Sequence, residues 1–182
     1  MGWYEAVRDG IFEALCATFN LNPETDGLNR FIPAYTDDAV TPQAPRNKDV
    51  SYFSVERFPG STLDYIEEKQ VLVNGLTKTR LQKSVPASVL VTFYGPNADD
   101  DAEFFWSEFQ RDGGKNSPRG ILRGKNIVPI GKAPDRPQPL FEVEGTYQRR
   151  RSDVRVNLAY LDVTEHESSE ITIPPEVVIR TN

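Results

Sequence analysis

The stretch ASVLVTFYGPNADDDAEFFWSEFQRDGG, residues 87–114, decides how the rest of the chain is read. Val89 to Tyr94 is nearly continuous in apolar residues, as expected of a central strand covered on both faces. Gly95-Pro96-Asn97 stops it. The spacing of Ala102, Phe105, Trp106 and Phe109 then predicts a helix from about Ala98 to Asp112, with those four on its buried stripe. Asp99, Asp100 and Asp101 complement the positive end of its dipole, and Gly113-Gly114 ends it. A small sheet backed by helices is the simplest fold for such a run.

Working outward, Val50–Phe58 (VSYFSVERF) is rich in aromatic and β-branched residues and ends at a Pro59-Gly60 turn. Leu63–Val73 and Leu76–Val85 read as a long hairpin around Asn74-Gly75, the dipeptide favoured in type I′ turns. The hairpin is largely charged (Glu67, Glu68, Lys69, Lys78, Arg80, Lys83), so one face of it meets solvent or a partner. Phe141–Val163 (FEVEGTYQRRRSDVRVNLAYLDV) reads as a last, charged strand. In it Val154, Val156, Leu158 and Tyr160 share one face, and Asp153, Arg155 and Asn157 the other. At the start of the chain, Trp3, Val7, Ile11, Leu15 and Phe19 recur every fourth residue and predict a helix over residues 2–19. Gly10 weakens that helix by about 1 kcal/mol relative to alanine.

The connections carry less signal. Asn20–Lys48 holds Pro23, Pro33, Pro42 and Pro45, yet its Leu28, Phe31, Ile32 and Tyr35 are too apolar for an idle linker. It reads as an extended cover over the core, the alternative being an arm packed on a neighbouring subunit. Asn116–Lys132 reads as a turn of helix around Gly120–Arg123 and a short strand, Asn126–Ile130. Ile171–Ile179, with Pro174-Pro175, reads as an edge strand or extended arm within a C-terminal extended tail, residues 164–182. The fold class expected is α+β in one domain, residues 1–182. It has a mainly antiparallel or mixed sheet of four to five strands, two main helices packed on one face, and a projecting β-hairpin.

Composition narrows the function. With 21 basic and 27 acidic residues the net charge is −6, which disfavours general nucleic-acid affinity but suits a passage through which DNA slides without sticking. The single Cys16 excludes an intramolecular disulfide framework and a cysteine metal cluster. No run approaches the ~20 apolar residues of a membrane span. Glu5, Asp9 and Glu13 interrupt any secretory leader, and Ala6 stands where a myristoylation signal needs Ser or Thr. The reading is a soluble protein made in a reducing cytoplasm.

Residues equipped for chemistry are few. The single histidine, His166, lies in the polar run TEHESS, read as a solvated turn with no second group to orient it as a base. Asp99–Asp101 lacks the alternating ligands and terminal Glu of a calcium loop, and helix capping explains it. GGKNS, residues 113–117, has neither the earlier glycine nor the Ser or Thr of a phosphate loop. No catalytic residue, metal or cofactor is therefore expected, and the chain does not read as an enzyme. The strongest basic cluster is Arg149-Arg150-Arg151 with Arg155. On a strand Arg149, Arg151 and Arg155 point one way and Arg150 the other. A solvated sheet face is the plain account of it, and a protein interface the functional one. Charge is also segregated along the chain. Asn97–Asp112 carries six acids against one arginine, and Lys115–Arg136 six bases against one aspartate. Opposed patches of this kind suit a head-to-tail contact.

The order of elements resembles the phage neck or tail terminator proteins. The matching pieces are the opening helix, a Pro-rich approach ending in Ala44-Pro45-Arg46, and the strand Tyr52-Phe53-Ser54-Val55. They continue with Val89–Pro96 and its acid-capped helix, then the arginine-centred strand Tyr147–Tyr160, covering about residues 44–163. The resemblance implies a structural protein of the virion, placed at the tail–neck junction and assembled in the host bacterial cytoplasm. Such proteins form homo-oligomeric rings, commonly hexamers. The ring caps the tail tube, stops its polymerisation, adjoins the tube protein and sheath, and offers a surface to the head-side connector. DNA passes through the lumen without specific binding. The family has no catalytic or cofactor-binding residues to carry over. The contact elements expected from the residues themselves are Arg149, Arg151, Arg155 and the hairpin at Asn74 and Gly75. Rival readings are another head–tail adaptor or neck completion protein, and a monomeric protein-binding module.

Overall fold

A computed structural model describes residues 2–34, 47–57, 65–73, 76–111, 113–130, 135–144 and 147–167. In chain order these form α1 (Trp3–Thr18), α2 (Asp26–Arg30), β1 (Phe31–Pro33), β2 (Val50–Arg57), β3 (Tyr65–Val73) and β4 (Leu76–Tyr94). Then follow α3 (Ala98–Gln110), α4 (Pro118–Gly124), β5 (Ile127–Pro129), β6 (Gln138–Glu144) and β7 (Tyr147–Glu167).

Two long antiparallel strands make the spine. β4 and β7 pair from Lys78↔Glu167 to Tyr94↔Arg151. The other edge of β4 carries β3 as far as Ser84 and β2 from Ala87 onward. The other edge of β7 carries β6 at Tyr147–Asp153 and β5 at Leu158–Tyr160. β1 joins β2 in parallel, so the sheet is mixed, with the path β1-β2-β4-β7-β5 and β3 and β6 off it. The α+β class, the mixed sheet and the hairpin follow the sequence reading.

The helices sit on one face. Val7, Ile11 and Leu15 of α1 and Ala102, Phe105 and Phe109 of α3 share a core with alternate residues of the strands, Phe53, Val89, Val91, Phe93, Val154 and Val156. Gly10 marks the close approach of α1 to the second layer. A Cβ there lies 2.6 Å from Ile127 Cδ1 and 3.3 Å from Leu122 Cδ2, so the weak helix former stands where α4 and β5 press on the helix. Cys16 is buried in the same core; burial, then Glu13, pushes its thiol up to about 11, as suits a small hydrophobe. In the Pro-rich approach, Phe31, the first residue of β1, is buried, while residues 35–46 lie outside the described residues.

Four expectations change. The hairpin's second strand and the apolar strand 89–94 are one strand, β4, running through Pro86. The proline is tolerated because it falls in the gap where β3 has ended at Ser84 and β2 has not begun. The charged run from Phe141 is two strands, β6 and β7, paired antiparallel from Gln138↔Asp153 to Glu144↔Tyr147. β7 does not stop at Val163 but pairs with β4 through Glu167, so the His166 backbone lies on a strand opposite Thr79 and not in a turn. Lastly, the apolar strand is covered by helices on one face only among the described residues. On the other, Leu90, Thr92 and Tyr94 lie beside long side chains of β7 and β2.

Candidate functional site

The open face of the sheet is built from the strand residues that alternate with the core. Tyr52, Ser88, Tyr94, Arg151, Asp153 and Arg155 stand there, because their neighbours along each strand, Phe53, Val89, Phe93, Val154 and Val156, take the helix side. Arg149, Arg151 and Arg155 thus share one face, as their spacing requires.

Their electrostatics differ. Arg151 is held in a fork: Nε donates to Asp153 Oδ1 at 2.9 Å and a terminal nitrogen to Asp153 Oδ2 at 2.7 Å. Glu142 Oε1 lies 3.9 Å from its other nitrogen. The bond to Asp153 holds this guanidinium firmly protonated, so Arg151 is a brace of the face. Arg155 is exposed and donates to the Ser88 hydroxyl at 3.0 Å. With Arg136, Gln138 and Leu90, Arg151, Asp153 and Arg155 line a hollow of about 290 Å³.

Beside the fork, Tyr94 packs edge-on against Tyr52 with centroids 5.8 Å apart. Burial, reinforced by the hydrogen bond it donates to Glu142, pushes the Tyr94 phenol up to about 12. Burial also raises Tyr52, against the opposing charge of Arg149. Tyr94 therefore contributes stability in full below about pH 10, the ordinary phenol value, and loses it as pH rises towards 12. Spectrophotometric titration is expected to show a late-ionising tyrosine that Tyr94→Phe removes. Ionisation of all seven tyrosines together near the ordinary value would contradict the half-buried setting of Tyr94 and its bond to Glu142.

The edge beside this face was not singled out from the sequence. β6 is bonded on one side to β7, and it exposes Leu140 (43%), Phe141 (67%) and Val143 (68%). Such an apolar edge strand is a template for another chain unless something covers it. The signal was present, since Gly145-Thr146 interrupts the alternation of FEVE and YQRR. Asn74 and Gly75 lie outside the described residues; the strands flanking them pair Val73 with Leu76.

Among the described residues no group of three or more His, Cys, Asp or Glu is placed to hold a metal, and no helix is long and apolar enough to cross a membrane. The arrangement can hold another protein surface, through an apolar edge and a braced row of arginines.

Comparison with curated proteins gives no match. The sequence matches the family model described as phage neck terminator protein over residues 5–180. That span takes in every described strand, α3, the exposed edge and all of α1 but its first two residues. On that match this chain belongs to the phage neck terminator family, a family of structural proteins of the virion neck and tail.

Proposed function

We propose that this neck terminator works as a ring of identical subunits, six by the family resemblance, which caps the head-proximal end of the tail tube. The ring ends tube polymerisation and joins the tube, with or without a sheath, to the head-side connector; DNA passes through it without specific binding. Assembly takes place in the host cytoplasm. The observation that carries this reading is the apolar edge strand β6, at the corner of the sheet away from the β3–β4 hairpin. An edge and a hairpin at opposite corners suit a repeating contact, in which main-chain hydrogen bonds join neighbouring sheets. Arg149, Arg151 and Arg155 are further contact elements beside that edge, Asn74 and Gly75, outside the described residues, are proposed as another, and the net charge of −6 suits a lumen that does not retain DNA.

Light scattering on the protein, free and mixed with purified tail tubes whose ends are imaged, tests the proposal. Six copies of a 20.5 kDa chain give a species of about 123 kDa. Rings, or density confined to one tube end, are expected. Phe141→Lys with Val143→Lys is expected to leave the melting temperature within a few degrees and abolish both, because these side chains are mostly in solvent in the single chain. A wild-type monomer that ignores tube ends would overturn the reading. Arg155→Glu probes the arginine row better than a change at Arg151, whose removal also strands Asp153.

A further inference from the structure

The helix layer carries complementary surfaces at its two ends. Along α3, Asp100, Glu103 and Phe104 are exposed and, at spacings of three and four residues, form one ridge. Phe104 is 45% exposed although its ring also rests on Phe19, with centroids 5.5 Å apart. The neighbouring Asp101 and Glu108 are engaged by Arg30 and Arg111, so Asp100 and Glu103 supply the outward charge of the ridge.

The other end is basic. Arg119 of α4 donates to the Phe109 carbonyl at 2.6 Å and lies over the Phe109 ring, which ties α4 to the C-terminal end of α3. Beside α4 runs a groove of about 760 Å³ lined by Lys115, Ile121, Arg123 and Lys125, with Glu13 bridged to Lys125 at 2.9 Å. One wall is glycine: a Cβ built at Gly124 meets no atom within 4 Å. The wall is therefore open space bounded by a basic rim and one apolar side chain, Ile121.

We infer that the α3 ridge of one copy of this chain docks in the α4 groove of the next copy. Phe104 enters beside Ile121, and Asp100 and Glu103 face Lys115 and Arg123. The occupant is a second copy because the complement of the groove is on this same chain but out of its own reach. Asp100 and the groove end of α3 are ~15 Å apart at 1.5 Å per residue, on a rigid helix. A ridge and groove at opposite ends of one layer make a heterologous contact, which closes into a ring or continues as a filament. This inference rests on the ring reading above and supplies it with a second, helix-side contact.

The experiment is a charge exchange read by light scattering and tube-end imaging, with thermal melting as the control for folding. Asp100→Lys with Glu103→Lys, and separately Lys115→Glu with Arg123→Glu, are each expected to lower the ring fraction at least tenfold. All four changes in one chain are expected to restore it, because the signs again oppose. Gly124→Leu fills the groove without an internal clash and is expected to block assembly with the fold intact. Single-patch variants that assemble like wild type would overturn the inference and leave the ring reading standing. So would a folded four-fold variant that fails to recover, since ridge and groove would then serve different partners. Ridge variants that form free rings but lose the tube end would assign the ridge to the tube protein and overturn it too. A wild-type chain that never assembles would remove both readings.

Discussion

Gly95→Ala is expected to destabilise the protein by about 3 kcal/mol or more and to lower its melting temperature by roughly 6–12 °C. The chain turns from β4 into α3 at this residue with φ of +119°, where side-chain-bearing residues are strained. A Cβ there lies 2.7 Å from Asp49 Cα and 2.8 Å from the Lys48 carbonyl oxygen. Both are backbone atoms, so no rotamer change relieves the overlap. Asp49 is also the wrong residue to push aside. Its carboxylate accepts from the Asn97 amide at 2.9 Å and from Asn97 Nδ2 at 3.0 Å, and lies 3.6 Å from Arg30. Arg30 in turn pairs with Asp101 on the first turn of α3. Moving Asp49 thus loosens the start of the helix that carries the ridge. Urea denaturation checks the result through a lower midpoint at constant slope. A melting temperature within about 2 °C of wild type would show that the turn relaxes freely.

Phe105→Ala is the other large effect, expected to cost about 3–5 kcal/mol. The Phe105 side chain is fully buried, with its ring centroid 5.9 Å from Phe93 on β4 and 5.8 Å from Phe109 one turn along α3. Truncation loses the transfer energy of the ring and leaves a cavity bounded on one side by the twisted sheet, which cannot collapse far. Phe105→Leu retains most of the volume and is expected to cost less than half as much. Equal losses for the two variants would mean that the core closes over the gap. Against a typical total stability of ~5–15 kcal/mol, the alanine variant sits near the threshold of folding. Any loss of assembly must then be compared at equal folded fraction.

The legible parts of this fold share a physical basis. Residues 87–114 specify a strand, a stop and a helix because apolar periodicity, turn residues and caps agree locally. α1 and α3 were readable from their stripes, and the arginine row on β7 from simple alternation. The pairing of β6 with β7 was missed although Gly145-Thr146 separates FEVE from YQRR in the sequence, because each half alternates on its own and pairing is a tertiary event. The continuity of β4 was hidden because Pro86 is a strand breaker unless no strand pairs with that edge at that point, as holds among the described residues. The extension of β7 through the polar run at His166 likewise depends on a partner strand.

By itself, then, the sequence determined which faces of α1, α3 and β7 are apolar, where the two main helices lie, and how acids and bases are divided between the α3 and α4 segments. These are short-range consequences of residue type and spacing. Only the tertiary structure decided that Arg151 is spent on Asp153 while Arg155 stays outward, and that Phe141 and Val143 lie on an exposed edge. It also set the acidic ridge and the basic groove at opposite ends of one helix layer. The reason is that exposure and pairing are properties of what comes to lie alongside a residue, and strands distant in sequence supply that neighbour.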